Sequence, residues 1–187
     1  MLRAPESLTT SRLRLRRPVA ADAAAIFTRY ASDPAVTRFL AWPTHRSLAD
    51  THAFLALSDG EWSRWPASAY LIELLASEQL LGSTGLTFES ATVASTGYVL
   101  ARDAWGCGYA TEALRAMVAL AASLGVQRLY AFCHPEHRPS QRVLEKGGLK
   151  RDPGMHAYPG FPNLPASGPC EVLRYSRAFS KGSSFDP

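Results

Sequence analysis

The chain has 187 residues, 47% of them hydrophobic, enough for one compact domain with a sizeable core. Its net charge of +4 comes almost wholly from arginine, lysine standing only at Lys146, Lys150 and Lys181, which argues against a nucleic-acid partner. No apolar run approaches the roughly 18 to 20 residues of a membrane span, and the opening MLRAPESLTTSRLRLRRP lacks the apolar stretch of a signal peptide, so a soluble, cytoplasmic protein is expected. Cys107, Cys133 and Cys170 are too few and too irregularly spaced for a disulfide framework and read as free thiols.

Residues 11–17 alternate apolar and basic positions, as a strand does with Leu13 and Leu15 inward and the arginines in solvent. Pro18 ends it. The alanine-rich stretch from Ala20 to Tyr30 favours a helix, which Asp33-Pro34 breaks because the residue before proline avoids the helical region. Ser47 to Asp50 forms a capping box, predicting a helix to about Ser58, a turn at Asp59-Gly60 and a loop carrying Trp62 and Trp65. Ser68–Leu75 and Leu80–Phe88 are β-competent and separated by Ser77-Glu78-Gln79, which predicts a hairpin. A strand over Ser95–Leu100 follows, then a helix from Ala110 to Leu124 with Gly125 at its C-terminal cap. Gln127–Cys133 reads as a strand and Pro139 opens another helix, stopped by Gly147-Gly148. Asp152 to Pro169 is rich in proline and glycine and predicts a long irregular loop before a last strand over Cys170–Phe179. The tail 180–187 is expected to be flexible.

Chemistry concentrates between a strand and a long helix, in RDAWGCGYATEAL from Arg102 to Leu114. Gly106 and Gly108 let backbone approach a ligand, and the helix start offers unpaired N–H groups and the positive end of its dipole. A phosphate or pyrophosphate suits such a site. A Walker loop is excluded, because the chain reads Gly108-Tyr109-Ala110-Thr111 where Gly-Lys-Ser/Thr is required. A dinucleotide fingerprint lacks its third glycine, replaced by Thr111, and has no acidic residue after the next strand. On the glycines alone, a ligand-free turn opening a core helix stays open.

The fragment WGCGYATEAL resembles the acetyl-coenzyme A loop of the GNAT superfamily of N-acetyltransferases, patterned Gln/Arg-x-x-Gly-x-Gly/Ala, with Trp105 first, Gly108 at the glycine and Ala110 last. Tryptophan followed by Gly-x-Gly-Tyr-Ala-Thr-Glu-Ala is similar to the RimJ/RimL-like branch. The block from His134 to Leu149 resembles the family's N-x-x-S-x-x-V-L-E-K-x-G-F segment. Leu13 to Arg16, Asp22, and Asp33 to Leu40 are similar to the opening of that branch. The resemblance spans residues 9–178 and implies one α/β domain, a mixed, mostly antiparallel sheet whose central strands splay apart, flanked by helices. Three departures stand out: His137 replaces asparagine, Gly147 a larger residue and Leu149 phenylalanine. A glutamate common near Ser95 is missing.

The resemblance further implies an acetyl-CoA-dependent N-acetyltransferase. Tyr98, Val99 and Leu100 would hydrogen-bond the pantetheine arm like an extra strand, with a backbone N–H holding the thioester oxygen. Trp105, Gly106, Cys107, Gly108, Tyr109, Ala110 and Thr111 would seat the pyrophosphate, and His137 would contact the coenzyme. Ser140 would donate a proton or hydrogen bond to the leaving thiolate, or simply satisfy backbone N–H groups at a helix start. Glu89 is the leading general-base candidate, with Glu73, Asp152 and His156 behind it. The partners are acetyl-CoA and an amine, with no nucleic acid or membrane, in a monomer or homodimer. Cys133, His134 and His137 lie close together, but zinc patterns require a second pair and only Cys170 remains, so no metal is expected.

An α-amine of pKa about 8 costs about 3 kcal/mol less to deprotonate near neutrality than a lysine amine of about 10.4. A site without a clear base therefore leans toward a protein N-terminus or another low-pKa amine. Phe39 to His45, Trp62 to Trp65 and Met155 to Phe161 are expected to line the acceptor pocket. A non-catalytic acyl-CoA sensor is the alternative of the same fold.

Overall fold

The computed structural model describes residues 2–165 and 168–179. Nine strands form the sheet: β1 (Ser7–Thr9), β2 (Leu13–Arg16), β3 (Ala69–Leu74), β4 (Leu80–Phe88), β5 (Val93–Leu100), β6 (Arg128–Cys133), β7 (Lys150–Arg151), β8 (His156–Tyr158) and β9 (Cys170–Ala178). Their order is β1-β2-β3-β4-β5-β6-β9-β7, with β8 also on β9. Every pairing is antiparallel except β5 with β6. Five α-helices accompany them: α1 (Ala23–Ile26), α2 (Pro34–Thr37), α3 (Leu48–Arg64), α4 (Tyr109–Ser123) and α5 (Arg138–Lys146). No helix among the described residues is long and apolar enough to cross a membrane.

The strand period sorts the core onto two faces. Ala94 and Leu100 on β5, with Leu129 and Ala131 on β6, pack against Leu114, Met117 and Ala121 of α4. Leu71 on β3 and Val99 on β5 face the other way, onto Ile26 and Tyr30 of the first helical region and Leu55 of α3. Gly147 ends α5 against this core, and a Cβ there would fall 2.3 Å from Leu114 Cδ2, which accounts for the glycine.

Several expectations need correction. Helix α3 does not stop at Ser58; it continues through Asp59 and Gly60 to Arg64. Glycine costs a helix interior about 1 kcal/mol, and burial of Trp62, 3% exposed with its indole N–H donating to the Ala69 carbonyl at 3.0 Å, outweighs it. Trp65 stacks on Phe88. The stretch from Ala20 is not one α-helix: a 3-10 turn precedes α1, and Phe27–Ala31 widens into a π-turn, where the Ser32 hydroxyl also bonds the Phe27 carbonyl. Asp33 caps the new helix α2, accepting from the Ala35 amide at 2.8 Å. The proline-glycine segment carries one short strand on β9, β8, with β7 just before it, and its residues 166–167, like the tail 180–187, lie outside the described residues. Leu13 and Leu15 point inward as expected, yet Arg14 and Arg16 are not simply solvated. Both donate to Glu73 at 2.8 Å, and Arg16 also grips Asp22.

The start of the sheet is tied to α4 by one carboxylate. Glu112 accepts from the Thr10 hydroxyl at 2.6 Å, the Ser11 hydroxyl and Arg12 amide at 2.9 Å, and Arg12 Nε at 2.8 Å. Burial alone would raise its pKa, but these donors more than offset that and bring it down to about 2. Glu112→Gln should destabilise the fold by about 2 kcal/mol in urea melts near neutral pH. Because the carboxyl is depressed, its contribution is complete above about 4.5 and lost as pH falls through about 2. The gap between wild type and variant should therefore close over that window.

Candidate active site

Parallel β5 and β6 pair only from Val93 to Ser95, opposite Arg128 to Tyr130. Beyond Ser95 and Tyr130 they part, so Thr96 to Leu100 have β4 on one edge and no β6 partner on the other. The opening widens into a cavity of about 520 Å³. Tyr98 lines it from β5, Ala131 and Cys133 from β6, and His137, Ser140 and Leu144 from α5 and its cap. The Tyr98 and Ser140 hydroxyls meet at 2.9 Å, and the Tyr98 oxygen is also 3.1 Å from the Ser140 carbonyl. Burial pushes the Tyr98 phenol well above its usual pKa, so it stays protonated and serves as a donor. Burial raises the Cys133 thiol as well.

Beside the gap, Trp105 to Gly108 form an exposed loop before α4. Gly106 and Gly108 hold φ of +76° and +83°, the left-handed region that glycine enters without a Cβ clash. Gly108 is the N-cap and contributes no capping side chain, so the first N–H groups of a 15-residue helix face outward. The Trp105 indole donates to the Leu100 carbonyl at 2.8 Å, fastening the loop to the end of β5. Arg12 donates to the Cys107 carbonyl at 3.0 Å and lies over the Tyr109 ring, bringing a cation to the loop. Ala110 and Thr111 form the first turn of α4, half-buried. Uncapped N–H groups, two residues without side chains and a nearby guanidinium suit a pyrophosphate.

Histidine and aromatic rings wall the cavity. Phe39 stacks on both His134 and His137 at 4.8 Å, and Phe161 meets His134 edge-on. Tyr158 bridges Phe161 and Phe132. Asn163 holds the two loops that bring these rings together: its amide donates to the Thr37 and Trp42 carbonyls at 2.7 and 2.9 Å, and its oxygen accepts from the Thr44 amide at 2.8 Å. Burial and the adjacent His134 lower the pKa of His137, leaving it neutral at pH 7.

Tyr98, Val99, His137 and Ser140 converge on the cavity, whereas Leu100 and Trp105 to Thr111 do not line it; the loop joins the end of β5 through the Trp105–Leu100 bond. Phe39 to Trp42, Tyr158 and Phe161 line it as well, whereas Trp62 and Trp65 do not. Glu89 stands outside, at the closed end of the gap, where the Tyr130 hydroxyl donates to it. Glu73 is locked between Arg14 and Arg16, and Asp152 between Arg174 and the Ser176 hydroxyl. His156, on β8, also lies outside the lining. Sequence reasoning missed Glu61, the carboxylate that does line the cavity, together with Ser58 and Asn163. Phe54, Leu57, Ser58 and Glu61 follow helical spacing, a signal hidden once the helix is ended at Ser58.

Residues 12–150 match the family model described as the acetyltransferase (GNAT) domain. An uncharacterized N-acetyltransferase, p20, of Bacillus licheniformis is 28% identical over 155 residues, covering 79% of this chain and 86% of that protein. The structure of a GNAT-family acetyltransferase from Bacillus anthracis superposes with a TM-score of 0.78 at 24% identity, covering 92% and 98% of the two chains. RimL, a ribosomal L7/L12 alpha-N-protein acetyltransferase solved with coenzyme A, gives a TM-score of 0.79 at 19% identity, with the same coverage.

His137 carries a pH signature. Its folded pKa lies below the ordinary 6.5, so stability is complete above that value and declines as pH falls below it, when the unfolded chain takes up the proton first. His45, also lowered by burial, adds to the same loss. His137→Asn should make the fall in Tm between pH 7 and roughly pH 5 shallower without abolishing it.

Proposed function

The chain belongs to the GNAT acetyltransferase family, and on that premise we propose that it transfers the acetyl group of acetyl-coenzyme A directly to a primary amine in a ternary complex. The observation that carries this reading is the meeting of Tyr98 and Ser140 at 2.9 Å inside the strand gap, beside a loop suited to a pyrophosphate. The fold shared with RimL, which binds coenzyme A, supports it, as does the RimJ/RimL-like sequence of the loop.

Bound acetyl-CoA supplies an activated acyl group as a thioester. The unpaired edge of Thr96 to Leu100 offers backbone groups for the pantetheine arm, and an N–H of that edge can hold the carbonyl oxygen as charge develops. Trp105 to Thr111 take the pyrophosphate. The amine attacks the carbonyl carbon, the C–N bond forms and the C–S bond breaks. Ser140, oriented by Tyr98, donates to the departing thiolate, whose pKa near 8.5 makes this assistance moderate. The attacking nitrogen loses its proton to neutral His137, which lines the gap. Glu89 has no direct part, because it lies beyond the point where the strands close. The acceptor is a primary amine on a protein N-terminus or a small molecule.

Coenzyme A or acetyl-CoA at a hundredfold excess over Kd should raise Tm by about 5 to 10 °C, and NAD or ATP should not. Stabilisation by NAD or ATP alone would overturn the coenzyme assignment. Ser140→Ala should lower kcat about 10- to 100-fold in a thiol-release assay while leaving the coenzyme-induced Tm shift intact. Coenzyme binding with no thiol release for any amine would instead leave an acyl-CoA sensor.

A further inference from the structure

On the sheet face opposite α4, three small residues stand in register across neighbouring strands. Ala69 on β3 pairs with Gly85 on β4, and Gly85 with Gly97 on β5. Gly97 lies mid-strand in the centre of the sheet and is nonetheless exposed, and a Cβ built on it would meet no atom within 4 Å. Open space over a strand glycine leaves room for a ligand against the backbone. The row floors a trough. It begins beneath the end of α3, where Trp62 bonds the Ala69 carbonyl, and ends at the gap between β5 and β6.

Two polar side chains of α3 line this cavity above the floor, Ser58 and Glu61. Ser58 is 5% exposed and its hydroxyl has no hydrogen-bond partner among the described residues. Buried hydroxyls are rarely left orphaned, so this one marks a place for a missing partner. Glu61 is the one carboxylate among the described lining residues, and no lysine or arginine lines the cavity. Arginines hold Asp22, Glu73, Glu112 and Asp152 elsewhere in the chain, while Glu61 has no ion-pair partner among the described residues.

We propose that the trough binds a linear aliphatic diamine, one ammonium held by Glu61 and Ser58 and the other nitrogen delivered to the gap. Charge argues for it, since a lone carboxylate in a half-buried cavity favours a cation, and a substrate carboxylate would find no partner there. Span argues for it too. From β3, under Glu61, to β5 at the gap is two strand spacings, roughly 10 Å. Phe54, Leu57 and Phe132 give the methylene chain apolar walls. The distal positive charge also lowers the pKa of the nitrogen at the gap, easing its deprotonation. What then happens to that nitrogen rests on the acetyl-transfer reading; the binding step does not.

The test is calorimetric titration of butane-1,4-diamine, pentane-1,5-diamine and n-butylamine into the protein saturated with coenzyme A, followed by thiol release with acetyl-CoA. A diamine should bind at least about tenfold more tightly than n-butylamine. Glu61→Gln should weaken it at least about tenfold, and Ser58→Ala, which removes the orphan hydroxyl, should weaken it by a smaller factor. Both variants should keep the coenzyme-induced Tm shift, which shows them folded. The proposal falls if neither diamine binds the wild type, if n-butylamine binds equally well, or if Glu61→Gln changes nothing. Diamine binding that depends on Glu61, with no thiol release for these or any other amine, keeps the trough and overturns the transfer reading. Thiol release with a peptide N-terminus, unaffected by Glu61→Gln, keeps the transfer reading and overturns the trough.

Discussion

The parting of β5 and β6 after three paired residues is the constraint on which the rest of the structure depends. Strands in a sheet stay together because each unpaired backbone group left away from water is costly. Here the pair separates where Tyr98 turns toward α4 and α5 and its hydroxyl is taken up by Ser140. The side chain is satisfied on its helix-facing side, while the strand edge from Thr96 to Leu100 remains available. A β4–β5 ladder of seven pairs on one side and a six-pair β6–β9 ladder on the other keep each half rigid, so the gap stays open instead of collapsing.

The same sheet separates two kinds of work. On the α4 face, close packing around Leu114, Met117 and Leu129 fixes the helix whose N-terminus and glycine loop form the proposed coenzyme seat. On the opposite face, α3 and the loops joined by Asn163 cover the sheet loosely enough to leave a trough over Gly97. Arginines decide which carboxylates remain available. Arg12, Arg14, Arg16 and Arg174 draw Glu112, Glu73, Asp22 and Asp152 into short ion pairs that spend all four on structure; the Thr10 and Ser176 hydroxyls, with these arginines, hold the pKa of Glu112, Asp152 and Asp22 down against burial. Glu61 stays on the cavity wall.

Some of the site was legible from residue order alone. Gly106 and Gly108 before an amphipathic helix announced a loop open to close backbone approach at a helix start, because the absence of a Cβ is a local property that glycine states directly. Pro139 marked the helix start that carries Ser140, whose role beside the sulfur only the family resemblance implied. The carboxylates were not legible. Glu89, Glu73 and Asp152 were candidates because they are acidic and near strand ends, but whether an acid faces a cavity or an arginine depends on register between strands and on loops distant in sequence. Asn163 is the plainest case, since its partners lie 119 to 126 residues away.

For the fold, sequence by itself determined the strand and helix identities wherever a period ran long enough: Leu13 and Leu15 inward, the β3–β4 hairpin, and the α4 stripe of Leu114, Met117 and Ala121. It also marked the proposed coenzyme seat, since a glycine loop and a helix start are properties of contiguous residues. Only the tertiary structure decided where α3 ends, because Gly60 reads as a turn until the burial of Trp62 outweighs its helix cost. Only the tertiary structure decided which face of the sheet is open and which acid lines it. Those depend on contacts between segments far apart in the chain, whose free energy no local propensity contains.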